Sequence, residues 1–278
     1  STFSLFIAQE ARTYNLVLFL ACSSFFVFLN ACREKGKVKW WVLLSLINSL
    51  LLYSHYLSAW VPIVQAITIL VHADLRRQVL LPFVLHCLGI ILLFAPFIPV
   101  VLHRFLDSGV NGTWVQPVKS PEAFYNMLWS FSNAPLTTVA FLCVMEIAVV
   151  LLFVKRKETG YIKHNLLTVL LWVWLPLIVS FLLSFKVGFF LNRYMFFTSP
   201  AFYLCIASAS LYAGEFIFKK YKWGLPAVCI VLMLCTFSLH SKGQKYGGSK
   251  KDVLPVVKKI KALNNEQATI LICPEWFD

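Results

Sequence analysis

The sequence predicts an all-α polytopic membrane protein, in which about eight transmembrane helices precede the start of a small soluble α/β outer domain. Three observations predict this class. The chain is 59% hydrophobic, and its mean hydropathy is +0.75. Only 13% of its residues are charged, about half the share usual in soluble domains. Its 25 Lys and Arg residues cluster between long apolar runs, which indicates membrane topology rather than nucleic acid as a partner.

Eight apolar stretches approach the roughly 20 residues that one helix needs to cross a hydrocarbon core. The third begins with Trp60, Val61 and Pro62 and is short, so a tight hairpin with the second stretch is expected. The stretches are 13–32, 40–58, 59–73, 79–98, 136–154, 165–185, 195–217 and 223–240.

Positive charge is concentrated in alternate connections between these stretches. The segments 33–39, 76–77, 155–163 and 219–222 carry 13 Lys and Arg residues, against five in the opposite short connections. The positive-inside rule therefore predicts that the 13-cation side is cytoplasmic. The outer face then collects residues 1–12, 55–60, 99–135 and 186–194 and the tail after 241.

Residues 99–135 are expected to form a large outer loop with one helix in it. Ser120, Pro121 and Glu122 have the cap, the N1 proline and the early acid typical of a helix start. Phe124 and Phe131 mark an apolar face on the following residues, which predicts a helix lying in the membrane interface.

The tail differs in character from the apolar runs. Residues 250–263 place apolar side chains on one helical face and Lys on the others, and 269–273 follow as a short strand. We therefore expect two domains, a transmembrane domain at 1–240 and the start of an extracytoplasmic soluble domain at 241–278. Both ends look cut, so an internal fragment of a longer protein is expected.

The predicted outer segments hold most of the residues that could carry chemistry. Glu10 and Arg12 precede the first stretch and could bind a phosphate and orient a hydroxyl, although a helix-end ion pair would look the same. His55 ends the second stretch and adds a titratable ring, between tyrosines that also suit an interfacial belt. Arg193 and Tyr194 precede the seventh stretch, where an Arg is either a phosphate ligand or a snorkelling anchor.

The large outer loop adds three further candidates. His103 and Arg104 follow Pro96 and Pro99, which are expected to end the fourth helix and open the loop, and Trp114 lies further along it.

Few other patterns suggest chemistry. Glu146 is the one acidic residue near the middle of a stretch, where coupling to ions and a protonated packing role are both open. The eight Cys residues show no metal-ligand spacing and are interpreted as small apolar side chains.

The order of these pieces resembles the C-type membrane glycosyltransferases. The branch is the protein O-mannosyltransferase-like one that includes the aminoarabinose transferase of lipid A. Residues 9–14 (QEARTY) open a helix and 53–56 (YSHY) end the next. A proline-ended helix precedes a Trp-containing loop, and 192–194 (NRY) precede Ser199 and Pro200. Residues 250–252 (KKD) resemble the start of the soluble domain in bacterial members.

The resemblance implies an enzyme that transfers a hexose or pentose from a polyprenyl-phosphate carrier to a lipid, glycan or protein acceptor outside the membrane. It implies a catalytic Asp or Glu in a first outer loop, which would lie before Ser1. Glu10 then corresponds to a second outer acidic residue and Arg193 to a contact of the lipid phosphate. His103 stands where one branch binds a divalent metal, which is the cofactor that the resemblance allows. The substrate-binding candidates are Glu10, Arg12, His55, Arg104, Trp114, Arg193 and Tyr194.

A polytopic transporter or flippase of lipid-linked saccharides is the alternative function. That class predicts charged residues deep in several helices and helices broken at the midplane. Only Glu146 fits the description, so the sequence favours the enzyme, expected in a bacterial inner membrane with its active face outside. A non-catalytic membrane scaffold stays open as a third hypothesis.

Overall fold

A computed structural model describes residues 1–9, 12–34, 37–111, 115–154, 160–217, 221 and 223–241. These residues form eleven α-helices and no strand. Short 3-10 turns stand at Tyr56–Ala59, Ala95–Phe97 and Phe196–Thr198. The helices are α1 (Thr2–Gln9), α2 (Tyr14–Arg33), α3 (Val38–Ser54), α4 (Trp60–Val71), α5 (Ala73–Phe94), α6 (Ile98–Asn111), α7 (Glu122–Ser132), α8 (Pro135–Val154), α9 (Gly160–Leu183), α10 (Ser199–Ile217) and α11 (Gly224–Ser241).

Each of the eight apolar stretches is helical, as α2 to α5 and α8 to α11. Within the described residues, four helical segments are long and apolar enough to cross a membrane, and a bent pair makes a fifth. They are Tyr14–Arg33, Ala73–Arg104, Phe196–Ile217 and Gly224–Ser241, with the pair Glu122–Ser132 and Pro135–Leu151. The helices α3 and α4 and the apolar part of α9 are shorter.

The fourth stretch differs most from its predicted bounds. Its helix begins at Ala73, and after the 3-10 turn the chain continues as α6. Pro99 stands in the first turn of α6, where a missing N–H costs nothing because that donor has no partner inside the helix. The prolines therefore do not end the helical path, and the prediction that His103 and Arg104 open a loop is wrong, because both lie on α6.

The predicted helix in the outer segment is present as α7. Its first N–H, from Glu122, donates to the Ser120 hydroxyl at 3.2 Å. Its apolar face is buried among other helices, since Met127 and Phe131 have no exposed surface, and its position at the membrane interface stays a prediction. α7 meets α8 at 93°, and Asn133 between them has a left-handed φ of 69°.

The outer surface of the bundle is strongly apolar. Leu81, Leu92, Leu136 and Val154 are each more than two-thirds exposed, whereas the core is filled by aromatic side chains such as Phe25, whose ring stacks on Trp172 at 3.8 Å. Soluble monomers rarely expose such continuous apolar surface. Such an apolar surface is suited to contact with the hydrocarbon of a bilayer.

Segments predicted on the outer face meet at one end of the bundle. The Val118 N–H donates to the Ser184 carbonyl at 2.9 Å, which joins the segment before α7 to the turn after α9. The Thr2 N–H donates to Asn133 Oδ1 at 2.8 Å, which joins α1 to the α7–α8 bend. These two bonds thus connect the segment around α7 both to α1 and to the turn after α9.

Candidate functional site

Three rings from distant parts of the chain meet at this end. Tyr14 begins α2, His55 follows α3, and Tyr194 lies in the turn before α10. Their ring centroids are 6.2 Å apart for Tyr14 and His55, 6.1 Å for Tyr14 and Tyr194, and 5.1 Å for His55 and Tyr194. These residues form the centre of the candidate site, which we call the aromatic cluster.

His55 is held by its backbone and by one ring nitrogen. Its φ of −164° ends α3 in an extended conformation, its N–H donates to Leu51 O at 3.0 Å, and its carbonyl accepts from the Ser58 N–H at 2.9 Å. The Leu57 N–H donates to Nδ1 at 3.3 Å, so the neutral ring carries its proton on Nε2. Burial lowers the pKa of His55 to about 4, and the imidazole is therefore a neutral donor at pH 7.

Tyr56 and two arginines surround the three rings. The Tyr56 ring stacks on His55 at 5.2 Å, and Arg193 Cζ lies 6.0 Å from the centre of the Tyr194 ring. Burial raises the pKa of Tyr194, the nearby hydroxyls of Tyr14 and Tyr56 raise it further, and the charges of Arg193 and Arg12 oppose that effect. Both guanidinium groups therefore lie within electrostatic reach of one phenol.

The turn that carries Tyr194 is held by hydrogen bonds to the Ser184 hydroxyl. Ser184 Oγ is buried and accepts the N–H groups of Phe189 and Phe190 at 3.1 and 3.0 Å. The Tyr194 N–H then donates to the Leu191 carbonyl at 3.0 Å. Each contact fixes backbone near the cluster, so the ring is presented by a rigid turn.

The cluster combines groups suited to a phosphorylated sugar. Two permanent cations, Arg12 and Arg193, can bind a phosphate. The His55 Nε2–H can donate to a hydroxyl or a phosphate oxygen, and the faces of Tyr56 and Tyr194 offer apolar surface with a polar rim. The structure brings four of the sequence-predicted site residues, Arg12, His55, Arg193 and Tyr194, together in or beside this cluster.

The remaining candidates do not extend the cluster. Glu10 and Trp114 lie outside the described residues. His103 and Arg104 are exposed on α6, and neither belongs to the aromatic cluster. Among the described residues, no group of three or more His, Cys, Asp or Glu side chains could hold a metal ion.

Tyr14 was not among the sequence-predicted site residues, although it ends the segment QEARTY. The sequence did indicate that Tyr14 could belong to the site, because an aromatic ring at the first position of an apolar helix lies at the membrane surface. The sequence could not show that this ring faces His55 rather than lipid.

A separate cavity of about 950 Å³ runs along the second half of α2. Its walls are largely apolar and include Phe25 and Trp172, and Arg33, His72 and Asp74 also line it. None of the sequence-predicted site residues borders this cavity.

Comparison of the chain with protein-family models, curated proteins and solved structures finds no match.

Proposed function

We propose that the protein transfers a sugar from a polyprenyl-phosphate carrier to an acceptor, with the aromatic cluster binding the sugar phosphate. The observation that supports the proposal is the meeting of Arg12, His55, Arg193 and Tyr194, from three segments of the chain, at one end of an apolar bundle. A donor with a lipid tail would dissolve in the surrounding bilayer and present its head group at this level.

The reaction is a displacement at the anomeric carbon. An acceptor heteroatom forms the new bond as the bond from the anomeric carbon to the phosphate oxygen breaks, and the lipid phosphate leaves with the electron pair. The acceptor proton passes to a carboxylate, a role that the family resemblance assigns to an Asp or Glu in a first outer loop. Arg12 and Arg193 would stabilise charge developing on the departing phosphate, and His55 would donate to it.

The proposal includes a membrane arrangement. All eight apolar helices cross or enter the bilayer, the cation-rich connections face the cytoplasm, and the cluster faces outward. A bacterial inner membrane suits this arrangement because lipid-linked donors replace soluble nucleotide sugars outside it. Residues 241–278 would begin the outer α/β domain, and all of them after Ser241 lie beyond the described part.

The experiment uses the full-length protein in vesicles with radiolabelled polyprenyl-phosphate mannose, or its pentose counterpart, and host lipid extract as acceptor. Arg193→Ala and Glu10→Gln are each expected to lower transfer about 100-fold, roughly 2.7 kcal/mol of barrier. Lys119→Ala is the matched control, since it removes an exposed cation from the same predicted face, and full transfer is expected.

Three results would count against this function. Wild-type activity in Arg193→Ala at normal expression would remove Arg193 from the site. Equal loss in Lys119→Ala would attribute the effect to general surface charge. Movement of the labelled lipid across the vesicle without sugar transfer would favour the flippase.

A further inference from the structure

A group of buried polar side chains lies in the middle of the bundle. Ser24, Asn48 and Gln65 have no exposed surface, and His86 is 2% exposed. These residues come from α2, α3, α4 and α5 respectively. Polar groups at such depth persist only where they are hydrogen-bonded, because apolar surroundings offer no water in exchange.

Three of these side chains close a ring of hydrogen bonds, the polar ring. Ser24 Oγ donates to Asn48 Oδ1 at 2.5 Å, Asn48 Nδ2 donates to Gln65 Oε1 at 2.9 Å, and Gln65 Nε2 donates back to Ser24 Oγ at 2.7 Å. The ring joins α2, α3 and α4. Each member is both donor and acceptor within it.

α5 is attached to the ring through His86. The second N–H of Asn48 lies 3.3 Å from His86 Nε2, and because an amide nitrogen only donates, Nε2 is the acceptor and Nδ1 carries the proton. Nδ1 lies 2.9 Å from Ser45 Oγ, which donates to the Trp41 carbonyl. A Cβ on Gly89 would stand 3.2 Å from that Ser45 hydroxyl, so glycine permits this close approach of α5 to α3.

The ring stands below the aromatic cluster on the same helices. Ser24 follows Tyr14 by ten residues on α2, and Asn48 precedes His55 by seven on α3. At 1.5 Å per residue the ring is about 15 Å from Tyr14 and about 10 Å from His55 along the helix axes. α2 carries Ser24 and Tyr14, and α3 carries Asn48 and is followed directly by His55.

Apolar contacts alone set the relative position of two membrane helices loosely. Lipid tails solvate Leu and Phe as well as another helix does, so rotation or sliding exchanges one apolar contact for another. A closed ring of directional bonds is satisfied in one register, because a shift of one residue turns its members to other faces. The ring therefore supplies the orientation that the apolar surfaces lack.

We infer that Ser24, Asn48 and Gln65 are positioning residues that fix α2 and α3 so that Tyr14 and His55 meet. The inference rests on the proposed function only for the purpose of this contact between Tyr14 and His55, which is sugar transfer. The geometric part concerns two named residues and is measured without any substrate.

The test compares the native ring with an apolar ring in a Cys-free background. The apolar ring combines Ser24→Ala, Asn48→Leu and Gln65→Met, which keep volumes similar. Tyr14→Cys and His55→Cys are added to each form, and a short bifunctional thiosulfonate reports their proximity well below the unfolding temperature. We expect the cross-linking yield to fall at least fivefold in the apolar ring.

Ser49→Ala is the matched control. Ser49 is a buried α3 serine whose hydroxyl donates to the Ser45 carbonyl in its own helix at 2.7 Å and, among the described residues, to no other helix. Its removal should leave the cross-linking yield at that of the native ring. An equal loss with this variant would overturn the inference, because any buried hydroxyl would then matter as much.

A folded apolar ring with native cross-linking overturns the inference. If that variant fails to reach the membrane, Ser24→Ala alone opens the ring while the contacts of Asn48 with Gln65 and His86 persist. At least a twofold loss of yield is expected there, and an unchanged yield also overturns the inference.

Transfer by the same ring variants with Tyr14 and His55 intact is the second measurement, with at least a tenfold loss expected. Lost cross-linking with unchanged transfer would contradict the proposed function and leave the positioning role standing, so the two failures are distinguishable.

Discussion

Gly188 lies against the backbone of Val115, so that a Cβ atom at residue 188 would overlap the Val115 carbonyl oxygen. The obstacle is main chain, which cannot rotate aside as a side chain can. Together with the hydrogen bond from Val118 to Ser184, this contact fastens the segment before α7 onto the turn that leads to Arg193 and Tyr194.

Gly188→Ala is expected to destabilise the folded protein by about 1–3 kcal/mol, because overpacking against backbone forces the two segments apart. The measurement is the thermal unfolding midpoint in detergent. Gly224→Ala is the control, since a Cβ at Gly224 meets nothing within 4 Å. Equal midpoints for the two variants would contradict the close packing.

The pH dependence of stability should carry a contribution from His55. Burial lowers its pKa from 6.5 to about 4, so between these values the unfolded chain binds more protons than the folded one. Stability is therefore expected to fall as the pH drops from 6.5 towards 4. Subtracting the pH profile of His55→Gln from that of the wild type isolates this slope, and a difference that is flat over the interval would disprove it.

Accessibility of single cysteines tests the orientation. Cysteine at residue 77 should react with an impermeant reagent only after the cells are opened, whereas cysteine at residue 119 should react in intact cells, as the positive charge of the alternate connections predicts. Arg77 and Lys119 are both exposed, so burial in the protein does not limit either reaction. The reverse pattern would invert the topology.

Glu146 separates the two functional classes. It is exposed on α8, on a surface that the bilayer would contact, and it is not a member of the aromatic cluster. Glu146→Gln should therefore leave transfer near the wild-type rate. If sugar transfer is absent and movement of the labelled lipid depends on Glu146, the transporter hypothesis is favoured instead.

Hydrophobic run length predicted the helices well and their ends poorly. Pro99 was expected to stop a helix, yet proline is compatible with a first helical turn, which is where it stands. The sequence also indicated that Arg12, His55 and Arg193 share one face. The distances between these three side chains depend on packing between helices that are far apart in sequence, and hydrophobic periodicity gives no information about that packing.

The polar ring escaped sequence analysis for a related reason. Ser24, Asn48 and Gln65 lie in three separate apolar runs, Ser24 beside Ser23 and Asn48 beside Ser49, and uncharged polar residues scattered in this way do not indicate a common site. Their partnership exists only once α2, α3 and α4 are packed. Glu10, Trp114 and the α/β domain stay predictions, because they lie outside the described residues.

The polar ring also has a direction of circulation, since every donated hydrogen points the same way around it. If Nε2 of His86 were protonated, it would need an acceptor, and Asn48 could offer its Oδ1 only after its amide group had rotated by 180°. The hydrogen bonds of Gln65 and Ser24 would then have to change direction as well. With a neutral His86, the opposite sense places the ring proton on Nε2, so that the Ser45 hydroxyl must donate to Nδ1. The hydroxyl then loses its hydrogen bond to the Trp41 carbonyl, which costs about 1 kcal/mol. A neutral His86 therefore favours the observed sense about fivefold, whereas a charged His86 requires the opposite one.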